Sequence, residues 1–149
     1  MDSNLRTASI VLAALGLLDS VYLVWVKYTG AYALCGPIGN CESVNSSQYS
    51  EIFGIPIALL GAGAYAVMMV LLIVEHLGQV WAEFGPMIVF GMSLIGFLYS
   101  IYLTYIEVAI LKAICPYCAI SAIILFVLLI LSGIRLSISL GEPDANSEQ

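Results

Sequence analysis

The sequence is short of charged residues, and this shortage excludes most soluble folds. Only 9% of its 149 residues are Asp, Glu, Lys or Arg, whereas about 25% is usual in a soluble domain. Four basic residues stand against ten acidic ones, giving a net charge of −6. No basic patch can therefore neutralise the phosphates of a nucleic acid. We expect neither a soluble globular protein nor a nucleic-acid-binding protein.

Long apolar runs take up most of the chain. Runs at about 8–26, 52–74, 86–109 and 114–138 are each long enough to cross a hydrocarbon core roughly 30 Å thick. In hydrocarbon every backbone polar group must be satisfied within its own segment, and no run alternates as a barrel strand does. The sequence predicts an all-α membrane protein, a bundle of four transmembrane helices within residues 1–141. The last two runs follow so closely that they form a helical hairpin, and residues 142–149 form an acidic, disordered tail.

The number of runs determines which connections share a membrane face. With four spans, both termini lie on one side, and the first and third connections lie together on the other. The first connection is the only sizeable loop and holds Cys35 and Cys41, whereas Cys115 and Cys118 stand at the start of the last run. All four cysteines are therefore predicted to lie at one face.

A C-x-x-C motif, formed by Cys115 and Cys118, opens the fourth run. Residues three apart on a helix have Cβ atoms about 5–6 Å apart, so this pair can close and open a disulfide with little movement. Pro116 suits a first helical turn, which places Cys115 near the N-cap, where the helix dipole favours a thiolate. The motif alone also resembles the glutaredoxin active site, but here it introduces a membrane span and not a βαβ unit.

The loop pair, Cys35 and Cys41, encloses residues that favour turns, so the chain can double back and bring the two thiols together. Such a pair can exchange with a soluble protein at one end and with the helix-borne pair at the other, through mixed disulfides. A static loop staple in a purely structural protein remains an alternative. A zinc site is disfavoured by the spacing of the loop pair, and we expect no metal.

Electrons that move between thiols need a final acceptor, and the sequence has no haem ligand pair and no flavin or nicotinamide motif. A membrane-dissolved quinone requires only a dry pocket between helices with one or two hydrogen-bond donors. The loop offers four such donors: Ser46, Ser47, Tyr49 and Ser50. The sequence therefore predicts a bound quinone of the menaquinone, ubiquinone or vitamin K type.

Together these elements resemble the vitamin K epoxide reductase family, and in particular its prokaryotic members. Four elements carry the resemblance: the loop cysteines, residues 44–49, the start of the second run at 52–56, and the C-x-x-C. The resemblance implies a four-helix bundle around a quinone, capped on the extracytoplasmic side by the cysteine loop and a short half-helix. Ser50 and Ala122 stand where the mammalian branch has asparagine and tyrosine, which leaves quinone reduction as the implied reaction.

The resemblance also implies a role for each cysteine. Cys35 meets the partner protein, Cys41 passes electrons to Cys115, and Cys118 faces the quinone. Ser47 is implied to lie near the quinone, and Phe53 to line its pocket. The candidate quinone contacts are Ser47, Ser50, Phe53, Pro56, Leu111 and Cys118.

The same resemblance implies a partner. Many bacterial members carry a thioredoxin-like domain after the bundle, whereas this sequence ends at Gln149. We therefore expect a monomer in lipid that meets a separate thioredoxin-fold protein through a transient mixed disulfide. Basic residues are balanced between the two faces and leave the orientation open. Disulfide chemistry favours a prokaryotic cell membrane with the cysteines outside and both termini in the cytoplasm.

Asp19 supports a different function. A carboxylate in the middle of a span costs about 2.5–3.5 kcal/mol on insertion scales, so it usually has a purpose. The alternative is therefore a small four-helix transporter that couples to protons through Asp19. A structural interpretation competes with it, in which Asp19 is protonated or hydrogen-bonded to Tyr99 or Tyr102.

Overall fold

The computed structural model describes residues 2–31, 34, 35, 37 and 39–141. Its α-helices are α1 (Asp2–Thr29), the short α2 (Cys41–Asn45), α3 (Ile57–Val74), α4 (Gln79–Ile106) and α5 (Pro116–Gly141). The four long helices are each long and apolar enough to cross a membrane. The predicted all-α bundle of four spans is therefore confirmed, as is the short helix beside the cysteine loop. The predicted disordered tail, 142–149, lies outside the described residues.

The second long helix begins later than predicted. α3 begins at Ile57 and not at residue 52, because the preceding residues form a small antiparallel hairpin of β1 (Glu51–Ile52) and β2 (Ile55–Pro56). Phe53 and Gly54 make the turn between these strands, with φ of +52° and +79°. Two successive residues of positive φ suit the twist of a two-residue hairpin turn.

The third long helix begins earlier than predicted. α4 begins at Gln79, so Pro86 lies inside the helix, and Trp81, which was expected in a connection, lies in its first turn. A proline inside a membrane helix is tolerated because neighbouring groups satisfy the backbone atoms that it frees. The connection between α3 and α4 is thereby reduced to a 3₁₀ turn, Glu75–Leu77, and Gly78.

A tight turn joins α4 to α5. A π-helix covers Glu107–Leu111, and Lys112 closes it with a left-handed φ of +49°. The backbone N–H of Ala113 donates to the Glu107 carbonyl oxygen at 3.0 Å. The helical hairpin that the sequence predicts is confirmed, and the turn delivers Cys115 to the start of α5.

Close packing between helices forms the core of the bundle. Gly16 of α1 lies directly against the ring of Tyr65 in α3, and an added Cβ would overlap that ring. Leu128 of α5 is fully buried in the same core. Large apolar side chains such as Leu18 and Leu98 remain exposed around the outside of the bundle. An apolar exterior of this kind suits contact with lipid, and the protein is a multi-pass membrane protein.

Candidate active site

The cysteine loop lies over the end of the bundle where α5 begins. The backbone N–H of Asn40 donates to the carbonyl oxygen of Ile114 at 3.1 Å. The hydroxyl of Tyr117 donates to the carbonyl oxygen of Leu34 at 3.1 Å. These bonds bring two segments that are distant in the sequence into direct contact.

The four cysteines meet beneath this loop. Cys35 and Cys41 form a disulfide, with their Cα atoms 6.1 Å apart. Cys115 and Cys118 are free, and the Sγ atom of Cys115 lies 3.4 Å from the Sγ atom of Cys41. All four residues therefore lie at one end of the bundle, as the parity of the connections predicts.

Burial differs sharply between the sulfur atoms. Cys41 is 1% exposed and Cys115 is 2% exposed, so the two sulfurs that face each other are sealed from solvent. Cys35 is half-buried and follows the exposed Leu34. Cys35 is therefore the more accessible residue of the loop disulfide.

The thiol of Cys115 is prepared to leave as a thiolate. A hydrogen bond from the Cys118 thiol lowers the pKa of Cys115, although burial opposes this effect. A thiol of lower pKa is a better leaving group in disulfide exchange. The Cys118 thiol therefore favours the thiolate form of Cys115.

A cavity of about 420 Å³ opens between the helices beside the C-x-x-C. This volume lies within the range of small-molecule sites, about 300–1,000 Å³. Most of the lining side chains are apolar, and Cys115 and Cys118 form part of the wall. Polar groups in the same wall include Asp19, Asn45, Tyr65, Tyr99 and Glu107. The cavity can hold an apolar ring against a reactive thiol.

Lys27, at the end of α1, holds the loop at the rim of this cavity. Its Nζ atom donates to the carbonyl oxygen of Asn45 at 3.1 Å and to Oγ of Ser50 at 2.9 Å. It also lies 2.9 Å from a carboxylate oxygen of Glu51, and its side chain is 17% exposed. One ammonium group thus fixes three loop residues to α1.

Lys27→Met is expected to loosen this part of the loop. Hydrogen bonds of a charged donor contribute about 1.5–3 kcal/mol each, so we expect a loss of stability of at least that size. Thermal unfolding in detergent and limited proteolysis of the loop measure it. Lys112→Met replaces an exposed lysine at the same end and serves as the matched control. Equal stability of the two variants would show that the Lys27 bonds do not hold the loop.

Comparison with known proteins places this site in a family. The model of the vitamin K epoxide reductase family matches residues 7–133. The chain belongs to this family. It is 34% identical over 125 residues to an Arabidopsis thaliana protein named thiol-disulfide oxidoreductase LTO1. The aligned part covers 78% of this chain and 32% of that protein, so the match spans about a third of the relative's length. The resemblance inferred from the cysteines and loop motifs is confirmed.

Four of the six candidate quinone contacts line the cavity, namely Ser47, Ser50, Leu111 and Cys118. The serine hydroxyls already have partners within the loop. Oγ of Ser47 donates to the carbonyl oxygen of Val44, and Oγ of Ser50 donates to that of Asn45, both at 2.7 Å. Their hydroxyl hydrogens are therefore committed to holding the loop in shape.

The other two implied contacts lie away from the cavity wall. Phe53 is fully exposed at the tip of the hairpin. The left-handed turn projects its ring away from the bundle, which corrects the expectation that it lines the pocket. Pro56 is buried at the start of α3, and its neighbour Ile57 contributes to the wall in its place.

Sequence reasoning missed several residues of the wall. Tyr65 carries its hydroxyl oxygen 2.8 Å from Oγ of Ser121, but no motif marks either residue. Glu107 had a usable signal, because an acidic residue inside an apolar run close to a C-x-x-C marks a functional position. Asp19, which suggested transport, lines this same cavity, and its Oδ2 atom is buried without a hydrogen-bond partner among the described residues.

Proposed function

We propose that this protein is a membrane thiol:quinone oxidoreductase. It oxidises the dithiol of a thioredoxin-fold protein, reduces a quinone, and so supports disulfide formation. The observation that carries the proposal is the distance of 3.4 Å between the sulfur atoms of Cys41 and Cys115, which joins two cysteine pairs into one relay. Family membership and the name of the relative support the thiol half of the reaction.

The outer step takes place at the Cys35–Cys41 disulfide. A thiolate of the partner attacks the accessible sulfur of Cys35, and Cys41 leaves as a thiolate. The second thiol of the partner then attacks the mixed disulfide, which releases Cys35 as a thiol and the partner as a disulfide. Two electrons have entered the loop pair, and the Cys41 thiolate is released beside Cys115.

The inner step transfers those electrons to the C-x-x-C. The Cys41 thiolate attacks the Cys115 sulfur of a Cys115–Cys118 disulfide, and Cys118 leaves. Cys35 then attacks Cys41, which closes the outer disulfide and releases Cys115. The structure has the arrangement that this step produces, with the outer pair closed and the inner pair free. The lowered pKa of Cys115 favours its release.

The cavity fits the quinone that the reaction requires. When bound, a quinone of the menaquinone, ubiquinone or vitamin K type accepts two electrons and two protons. The apolar wall would bind its ring and exclude water, and Cys118 borders the same space. The two thiols of the C-x-x-C supply both electrons as they close to a disulfide.

Orientation and partner follow from this chemistry. Disulfides persist in oxidising compartments, so we place the cysteine end outside the cytoplasm and both termini inside it. The resemblance to prokaryotic members of the family supports a prokaryotic cell membrane. The partner is a separate thioredoxin-fold protein, and it binds a monomer in lipid through a transient mixed disulfide. The half-buried Cys35 beside the exposed Leu34 supports docking at the loop.

The transporter alternative gains no separate support. Asp19, which motivated it, lies in the wall of the cavity that also contains Cys118. A carboxyl group in that position belongs to the proposed quinone site and needs no second function to explain its burial.

The proposal is tested with the purified, fully reduced protein in detergent. After the reductant is removed without oxygen, added quinone should be reduced to quinol in proportion to the thiols lost. Quinone absorbance and mass spectrometry of the re-formed Cys115–Cys118 disulfide measure the two products. Extraction of the purified protein identifies the quinone it carries. Thiols that stay reduced in the presence of quinone would rule out the proposed reaction.

A further inference from the structure

Glu107 is a buried acid beside the inner cysteine pair. It is 4% exposed and begins the π-helix between α4 and α5. Its Oε2 atom accepts a hydrogen bond from the backbone N–H of Cys115 at 3.2 Å. The thiol of Cys118 is adjacent to the same carboxyl group, which also lines the cavity. Glu107 therefore touches both residues of the C-x-x-C and the space proposed for the quinone.

The structural role of this side chain does not require an acid. A glutamine in the same place could accept the hydrogen bond from Cys115 equally well. The fold needs no carboxylate here for charge balance either. Glu75, at the other end of the bundle, pairs with the buried Arg135, whereas Glu107 has no ion-pair partner among the described residues. Its Oε1 atom is likewise buried without a hydrogen-bond partner in the part of the chain that the structure describes.

The chemistry at this position needs a group that accepts and releases protons. Closing the inner pair to a disulfide removes two protons from the thiols, and quinone reduction consumes two. The hydroxyl groups of Ser47 and Ser50 donate to carbonyl oxygens within the loop, and the ammonium group of Lys27 is paired with Glu51. These groups are therefore not free to carry the protons. Asp19 is the other carboxyl group in the wall, but the hydrogen bond to the C-x-x-C belongs to Glu107.

We propose that Glu107 transfers protons from the inner thiols to the bound quinone. This step rests on the proposed function and deepens it. In the dithiol form, the Glu107 carboxyl group holds the proton of the Cys115 thiol and passes it to a quinone oxygen. It then takes the proton of the Cys118 thiol and passes it to the second oxygen. The inner pair loses two electrons and two protons in forming one S–S bond, the quinone gains both, and Glu107 is left as a carboxylate.

Glu107→Gln separates proton transfer from positioning, because glutamine keeps the acceptor for the Cys115 N–H. We expect quinone reduction by the pre-reduced protein in a single turnover to slow by about a hundredfold, the usual contribution of general acid–base catalysis. Glu107→Asp keeps a carboxyl group and should recover part of the rate. Disulfide exchange between Cys41 and Cys115, which needs the hydrogen bond and not the acid, should persist in Glu107→Gln. An unchanged rate in this variant would overturn the role of Glu107.

Infrared spectra of quinone-free protein provide a readout that does not depend on turnover. If Glu107 shares the thiol proton, the dithiol form should show a protonated-carboxyl band that disappears when the inner disulfide closes. The band should be lost in Glu107→Gln and kept in Asp19→Asn. If Glu107→Gln does not fold, carbon-13 labelling of glutamate in the unaltered protein should shift the band and labelling of aspartate should not. The opposite pattern would overturn the assignment.

These outcomes distinguish the two proposals. If the unaltered protein does not reduce quinone, the proposed function fails. If it reduces quinone and Glu107→Gln does so at the same rate, only the assignment of Glu107 fails.

Discussion

Replacing Cys118 by Ala is expected to abolish quinone reduction, with a loss of about 10³-fold or more. Cys118 borders the cavity from the first turn of α5, and it is the thiol with which Cys115 closes a disulfide in the proposed reduction of the quinone. Without it the dithiol cannot be oxidised, so electrons that reach Cys115 have no exit. The measurement is a single turnover of pre-reduced protein with added quinone.

Cys35→Ala is the informative control for this prediction. It removes the sulfur that meets the partner, so multiple turnover with a reduced thioredoxin-fold protein should be lost. The inner pair is intact, however, and the pre-reduced variant should still reduce quinone once. Similar single turnovers of the two variants would contradict the assignment of Cys118 as the residue that faces the quinone.

The double variant Cys35→Ser, Cys118→Ser should be locked by a disulfide between Cys41 and Cys115. The two remaining sulfurs lie 3.4 Å apart, both buried, and neither retains its own partner for resolving a mixed disulfide. We therefore expect nearly complete cross-linking under mild oxidation. Mass spectrometry of a proteolytic digest detects the linked peptides.

The matched control is Cys35→Ser, Cys115→Ser, which leaves Cys41 and Cys118. It has the same number of thiols but keeps Cys118 and lacks Cys115, the inner cysteine whose sulfur lies against that of Cys41. Cross-linking should be much weaker in this variant. Equal cross-linking in the two variants would mean that the loop lacks a preferred contact with Cys115, and the relay order would have to be abandoned.

The sequence was sufficient to predict the bundle. A membrane span needs an apolar run of sufficient length, and its backbone N–H and C=O groups must form hydrogen bonds within the segment, which makes it a helix. It failed at residues 52–56, where apolar residues were taken as helical although a two-residue turn of positive φ makes a hairpin. It also failed at Pro86, since proline was treated as a helix start although the membrane helix accommodates it in its interior. Both errors concern local backbone geometry that an apolar pattern does not encode.

The meeting of the four cysteines was predictable from the sequence, and much of the cavity wall was not. Parity of the connections and the spacing of the C-x-x-C sufficed to bring the cysteines together. The exposed position of Phe53 depends on the direction of a turn, which sequence motifs do not show. The contact of Glu107 with Cys115 depends on a π-helix and a left-handed Lys112 that fold the chain back on itself. Such contacts become visible only in three dimensions.

The burial of Cys41 and Cys115 also determines which thiols in the surroundings can react with them directly. Glutathione-like molecules in the surroundings cannot reach these two sulfurs, since both are sealed beneath the loop. Under the proposed function, a reductant therefore has to enter at Cys35, the more exposed residue of the loop disulfide. In that reaction, the loop that covers Cys41 and Cys115 would favour a reductant whose own shape fits the surface around Cys35.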